Sequence, residues 1–240
     1  MIYYFITGTS KGIGKALAEA ALHDKNTVVY GISRNVTVEH EQYHHLHADL
    51  SDITALRNNL HKLFPVLDNA EKIVLINNAG ILGEVAYLGS QTTDNFEFVF
   101  DVNVIAPAIL MNTFISAYHE QTCPQIIVNI SSGAGQRAVD GWSAYCASKA
   151  ALDMISLTCH KEQDILQSGI KVYALSPGVV DTAMQAHIRE VEADQFSEVN
   201  RFQELKKEGN LQTPEEVSKK IMQFIENPST NQVIVSVRDL

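Results

Sequence analysis

The chain has 240 residues, 45% hydrophobic and 19% charged, with a formal net charge of −10 and a pI near 5.3. That length fills the core of one α/β domain and argues against a second, and the acidic balance opposes a duty on nucleic-acid phosphates. No apolar run is expected to approach the ~20 residues of a membrane span, and Cys123, Cys146 and Cys159, an odd set without metal-ligand spacing, suit reduced thiols in a cytoplasmic protein.

In chain order, β-branched runs alternate with helical patterns. Residues 2–6 lack a basic lead and pass straight into Thr7-Gly8, so they read as a buried first strand rather than a signal peptide. An amphipathic stretch over 13–22, strands at 27–32 and 43–47, a helix over 52–64 and a strand at 72–76 follow. Helical patterns over 93–118, a strand at 125–130, a helix carrying Tyr145 and Lys149, a strand at 170–175, a helix over 214–225 and a strand at 232–235 complete the series. Parallel neighbours need crossover connections, so this alternation predicts an α/β fold, a doubly wound parallel sheet in a single domain spanning 1–240. Residues 178–212 break the alternation. They mix charges with Met184, Ile188, Phe196, Phe202 and Leu205, which predicts a helical lid over the carboxyl ends of the strands.

Ser131-Ser132 followed by Tyr145-Cys146-Ala147-Ser148-Lys149 carries the chemistry. On one helix, i,i+4 spacing sets Tyr145 and Lys149 on the same face. An ammonium beside a phenol lowers the phenol's pKa from its ordinary ~10, so the pair is expected to move a proton on and off an oxygen. An upstream serine hydroxyl can hold that oxygen.

Such a device needs a hydride source. Between the first strand and helix lies Thr7-Gly8-Thr9-Ser10-Lys11-Gly12-Ile13-Gly14, whose glycines let the backbone approach a diphosphate at a helix N-terminus. A kinase-type phosphate loop is excluded, since Gly14-Lys15 would require glycine where Thr9 stands and a hydroxyl where Ala16 stands. The second strand ends in Ser33-Arg34 with no acid between 28 and 38, and Lys11 is near in sequence. A ribose 2′-hydroxyl calls for a carboxylate there and a 2′-phosphate for cations, so NADP(H) is expected over NAD(H).

Together with Asp49-Leu50, Asn77-Asn78-Ala79-Gly80, Asn103 and Pro177-Gly178-x-x-x-Thr182, these ordered motifs resemble the short-chain dehydrogenase/reductase family over nearly the whole chain. Gly141-Trp142-Ser143-Ala144-Tyr145 and Asp181-Thr182-x-Met184-Gln185 are most similar to its sepiapterin reductase and bacterial benzil reductase branch. The resemblance implies a Rossmann-type sheet and a catalytic set of Ser132, Tyr145, Lys149 and Asn103, with Ser131 the lesser candidate for the serine. In that scheme Tyr145 protonates the carbonyl oxygen that Ser132 polarises. Lys149 grips the nicotinamide ribose and keeps the tyrosine pKa low, and Asn103 positions a relay water. Asp49 and Leu50 would meet the adenine, while Asn78, Ala79 and Gly80 pass its ribose. Pro177, Gly178, Val179 and Thr182 would fix the carboxamide, and the Gly8–Gly14 turn with Ser10, Lys11, Gly12, Ile13, Ser33 and Arg34 would hold the phosphates. Trp142 and Met184, with Ser132 and Tyr145, are the expected substrate contacts.

The histidines at 40, 44, 45 and 47 lack a third ligand beside the strand pair His45 and His47, so no metal is expected. Cys146 faces away from Tyr145 on a helix and is expected to be inert. The chain thus reads as an NADPH-dependent reductase of a small apolar or aromatic ketone or diketone. The alternatives are an NAD-dependent alcohol dehydrogenase and a non-catalytic NADP-binding sensor. By family analogy a homodimer or homotetramer is expected, with no nucleic-acid or membrane partner.

Overall fold

The inner strands are apolar on both faces because each is covered twice. In the computed structural model, which describes residues 1–240, β1 (Ile2–Thr7) turns Tyr4 and Ile6 to one layer and Phe5 to the other. β2 (Thr27–Ser33), β3 (Tyr43–His47), β4 (Lys72–Asn77), β5 (Gln125–Ile130), β6 (Lys171–Ser176) and β7 (Ile234–Ser236) join it in one parallel sheet of order β3-β2-β1-β4-β5-β6-β7. The order reverses between β1 and β4, the switch point where open α/β sheets bind ligands at their carboxyl ends.

α1 (Gly12–Ala21) and α8 (Pro214–Glu226) cover the first face, burying Leu17, Val217 and Phe224 against Ile6, Val74 and Val128. On the other face α2 (Ile53–Leu63), α4 (Ala106–Tyr118) and α5 (Ser143–Leu166) enclose a core built on Phe5, Leu75, Phe114 and Ile127. Phe5 stacks on Tyr30 at 4.9 Å and meets Phe64, Phe114 and Tyr118 at 5.1–6.4 Å, so an aromatic cluster joins this layer to the sheet.

Two expectations are corrected. α3 (Thr93–Phe100) runs into α4 through a π-turn (Asp101–Ile105), making a continuous helix, Thr93–Tyr118, with mean hydropathy 1.7 over its apolar window. That is long and apolar enough for a span, contrary to expectation, but half of the window is buried inside the domain, where Leu110 and Phe114 form core. Its apolarity comes from the core it fills. The last strand also slides from 232–235 to Ile234–Ser236, because its register is set by pairing with Ala174–Ser176 of β6.

The 178–212 segment is helical as expected: α6 (Ala183–Arg189) and α7 (Val199–Lys207) pack together. A bridge between Val180 and Gln212 closes its root, where Lys206 and Arg189 both reach Asp181.

Candidate active site

The loop after β1 is held open by its neighbours. Thr7 Oγ1 accepts from the amides of Asn78 and Ala79, both at 2.9 Å, and Asn78 Nδ2 donates to Thr7 O at 2.9 Å. Thr37 Oγ1 donates to Ser10 O at 2.9 Å and closes the far side. Gly8 and Gly12 take φ of +74° and +58°, the left-handed region that glycine tolerates without strain. α1 has no side-chain N-cap and no acid in its first turn, so its leading amides and positive dipole end are left for an anion.

Nearly every residue expected at the site lines one cleft of ≈ 1420 Å³ running from Arg34 past Gly12 and Gly80 to Tyr145 and the lid. Gly14 and Asn103 are the exceptions and stand behind its wall. At the β2 end of the cleft Arg34 is exposed and 3.9 Å from Asp49, so this cation is paired. Asp49 also accepts from the Ser51 amide and hydroxyl at 3.0 and 2.7 Å, bonds that with Arg34 hold its carboxyl below the usual carboxylate range. Ser33 is buried and turned inward, donating to Asn35 O at 2.9 Å.

At the other end α5 presents Tyr145, Lys149 and Asp153, all buried, as successive turns of one stripe. Lys149 Nζ donates to Ile130 O at 2.8 Å and lies 5.7 Å from the Tyr145 ring centroid. Ser132 lines the same cleft as Tyr145, and its Oγ accepts from the Ala134 amide at 3.2 Å. Ser131 points the other way, its Oγ donating to Asp153 Oδ1.

One expectation changes, the direction of the Tyr145 shift. Burial pushes Tyr145 up to about 12, a rise that the neighbouring Ser132 hydroxyl only partly offsets, so in the chain by itself the phenol is not acidified. The reason is that Lys149 sits over the ring and bonds a carbonyl rather than the hydroxyl, while its own burial draws it down to about 8. Asn103 is fully buried, with Nδ2 donating to Ile81 O at 2.8 Å and Ser148 Oγ at 3.0 Å and Oδ1 accepting from the Ile81 amide at 2.9 Å. Its side chain fixes the π-turn to the loop after β4, and Oδ1, with one bond accepted, stands beside Gly80 on the side of Lys149. Asn77, which donates to Asn129 Oδ1 at 2.8 Å, ties β4 to β5.

Beside Tyr145, Trp142 stacks on Phe196 at 5.2 Å, meets the Tyr145 ring edge-on at 5.7 Å and packs on Phe202 at 5.7 Å. Leu82, Val85, Val139, Ile188 and Val199 complete this apolar cluster, with Met184 against it. Thr182 caps α6 through the Gln185 amide and comes within 3.5 Å of where a Gly12 side chain would begin, so the lid root sits against the Gly-rich turn. The thiol of Cys146 is pushed up by burial and contacts Val139 O, in line with an inert cysteine.

Asp153 and its bond to Ser131 were not found from the sequence, although i+8 spacing from Tyr145 was a usable signal. The family model described as short chain dehydrogenase matches residues 3–193. The chain is 38% identical to benzil reductase ((S)-benzoin forming) of Bacillus cereus over 94% of each protein. It is 28% identical to sepiapterin reductase of Bos taurus over 92% of this chain and 88% of that one. In structure it is similar to 4-hydroxyisoleucine dehydrogenase complexed with NADH, at a TM-score of 0.79 and 25% identity over 98% and 96% of the two chains. The chain belongs to the short chain dehydrogenase family, oxidoreductases that use a nicotinamide cofactor on CH–OH and C=O groups.

Proposed function

We propose that the chain is an NADPH-dependent carbonyl reductase of small apolar or aromatic ketones or diketones. The observation that carries this reading is the meeting of Ser132, Tyr145 and Lys149 where the Gly-rich groove opens onto Trp142 and Phe202, which Phe196 backs from behind. The residues present fit a dinucleotide: uncapped amides at α1, glycines at the turn, and Gly80 where a Cβ would lie 3.4 Å from Lys149 Nζ. Bound there, the cofactor supplies hydride to the carbonyl carbon.

The chain's own residues handle the oxygen. Ser132 Oγ donates a hydrogen bond to it, and Tyr145, held protonated at neutral pH by burial, donates its phenolic proton. The Lys149 ammonium stabilises the phenolate left behind and grips the ribose hydroxyls. Val179 and Thr182, at the lid root, hold the carboxamide, and water is excluded by the aromatic cluster above. Lys11 and Arg34 take the 2′-phosphate. The Arg34–Asp49 pair is exposed, so an incoming phosphate competes readily for the guanidinium.

The substrate class is supported by the apolar pocket and by the names of the two relatives, a diketone and a pterin reductase. A cytoplasmic homodimer or homotetramer acting on a small carbonyl compound is the setting we propose. The test is NADPH oxidation by the purified protein with benzil, other diketones, quinones, aldehydes and sepiapterin. Turnover of a diketone with NADPH preferred over NADH is expected, and no turnover across the panel refutes the reading. Tyr145→Phe is expected to lose about 10²–10⁴-fold in kcat, the usual worth of a positioned general acid.

A further inference from the structure

The end of β5 is tied to α5 twice. Ile130 O takes the Lys149 ammonium at 2.8 Å, and the next residue, Ser131, donates through Oγ to Asp153 Oδ1. Ser132 follows directly, so these two ties set how far the substrate-facing hydroxyl stands from Tyr145. Asp153 is 4% exposed, and its Oδ2 has no hydrogen-bond partner. Gly135 packs on it closely, since a Cβ there would lie 3.0 Å from Oδ2 and 2.9 Å from the Lys149 carbonyl carbon.

A buried carboxyl oxygen without a partner destabilises a fold, and a neutral asparagine could accept the Ser131 bond equally well. Bracing alone therefore leaves the charge of Asp153 without a role. From the β5–α5 connection Ser131 and Gln136, both uncharged, face it. Burial pushes the Asp153 carboxyl up, and the Ser131 bond and the Lys149 ammonium, one helical turn back, oppose that rise and favour its carboxylate. In the other direction, burial draws Lys149 down and Asp153 is the group that opposes it.

We propose that Asp153 is a positioning residue of the active site: through Ser131 it fixes the Ser132 turn, and its carboxylate keeps the buried Lys149 ammonium charged. The inference rests on the placement of Lys149 in the site, but its test does not depend on carbonyl reduction. It is the titration of Lys149 in the cofactor-free protein, followed by the 13Cε signal of labelled lysine and assigned by Lys149→Arg. Asp153→Asn keeps shape and the Ser131 bond while removing charge, and is expected to lower the Lys149 midpoint by about one pH unit. The alkaline limb of kcat for reduction should move down by the same amount, with KM for NADPH measured below that limb unchanged. If the single variant does not fold, Ser131→Ala/Asp153→Leu removes donor and acceptor together and should give the same downward shift. A Lys149 midpoint that stays in place or rises in the folded variant overturns the proposal and leaves Asp153 a brace.

Discussion

Gly14→Ala sets two known effects against each other. Gly14 lies in the first turn of α1, where alanine is favoured over glycine by about 1 kcal/mol of helix propensity. Yet an added Cβ would lie 2.3 Å from Asn78 Nδ2 and 2.4 Å from Gly8 O, about 1 Å inside ordinary contact at 3.4 Å. Neither neighbour yields freely. Gly8 N donates to Ile32 O at 2.8 Å, and Asn78 Nδ2 is committed to Thr7 O at 2.9 Å. Overpacking costs about 1–3 kcal/mol and disrupting the Asn78 bond about 1–3 more, so the clash outweighs propensity by about 1–5 kcal/mol. Taking about 3 kcal/mol, at ~2–4 °C per kcal/mol for a chain of this size, Tm falls by about 6–12 °C. Thermal unfolding by circular dichroism and NADPH binding by fluorescence measure the two consequences, and binding should weaken because the phosphate turn is displaced. Gly133→Ala, with nothing within 4 Å of the new Cβ, is the stability control and should shift Tm by no more than about 2 °C. An equal or higher Tm for Gly14→Ala with unchanged NADPH affinity would refute the steric reasoning.

Other outcomes follow from the same geometry. Arg34→Ala should raise KM for NADPH about tenfold or more and leave KM for NADH nearly unchanged; equal effects on both would remove the 2′-phosphate assignment. Burial holds Lys149 at about 8, so its positive charge is complete well below that pH and lost as pH rises through it. Carbonyl reduction should accordingly be level in mildly acid solution and decline through pH 8, as read from a kcat profile. Phe196→Ala removes a fully buried ring from the lid cluster, costing about 3–5 kcal/mol locally. Hydrogen exchange should quicken in α6 and α7 but not in β5, and KM for the ketone should rise.

The sheet was legible because strands covered on both faces leave uninterrupted runs such as Ile73-Val74-Leu75-Ile76, with turn residues between them. The site was legible where chemistry is written locally: the glycine spacing at 8–14 and the i,i+4 step from Tyr145 to Lys149. What stayed hidden depends on partners distant in sequence. Nothing near Arg34 announces Asp49, nothing near Ser131 announces Asp153, and the placement of Asn103 is set by Ile81 and Ser148. The direction of the Tyr145 shift was misread for a related reason. Helical spacing shows that two side chains share a face, but not that the ammonium would turn to Ile130 O and leave burial to govern the phenol.

The π-turn at Asp101–Ile105 is equivalent to one extra residue in a helix that would otherwise run unbroken from α3 into α4. Each residue advances an α-helix by about 100°, so the insertion rotates everything after it relative to everything before it by that angle. α3, which packs on α5, and α4, whose Leu110 and Phe114 enter the sheet-side core, are thereby phased independently. Deleting one residue there would yield a more regular helix, but α3 and α4 could then no longer both face their partners. The Asn103 amide would leave Ile81 and Ser148, and the floor beneath Gly80 and Lys149 would be lost. Helical regularity at this point is incompatible with the site above it.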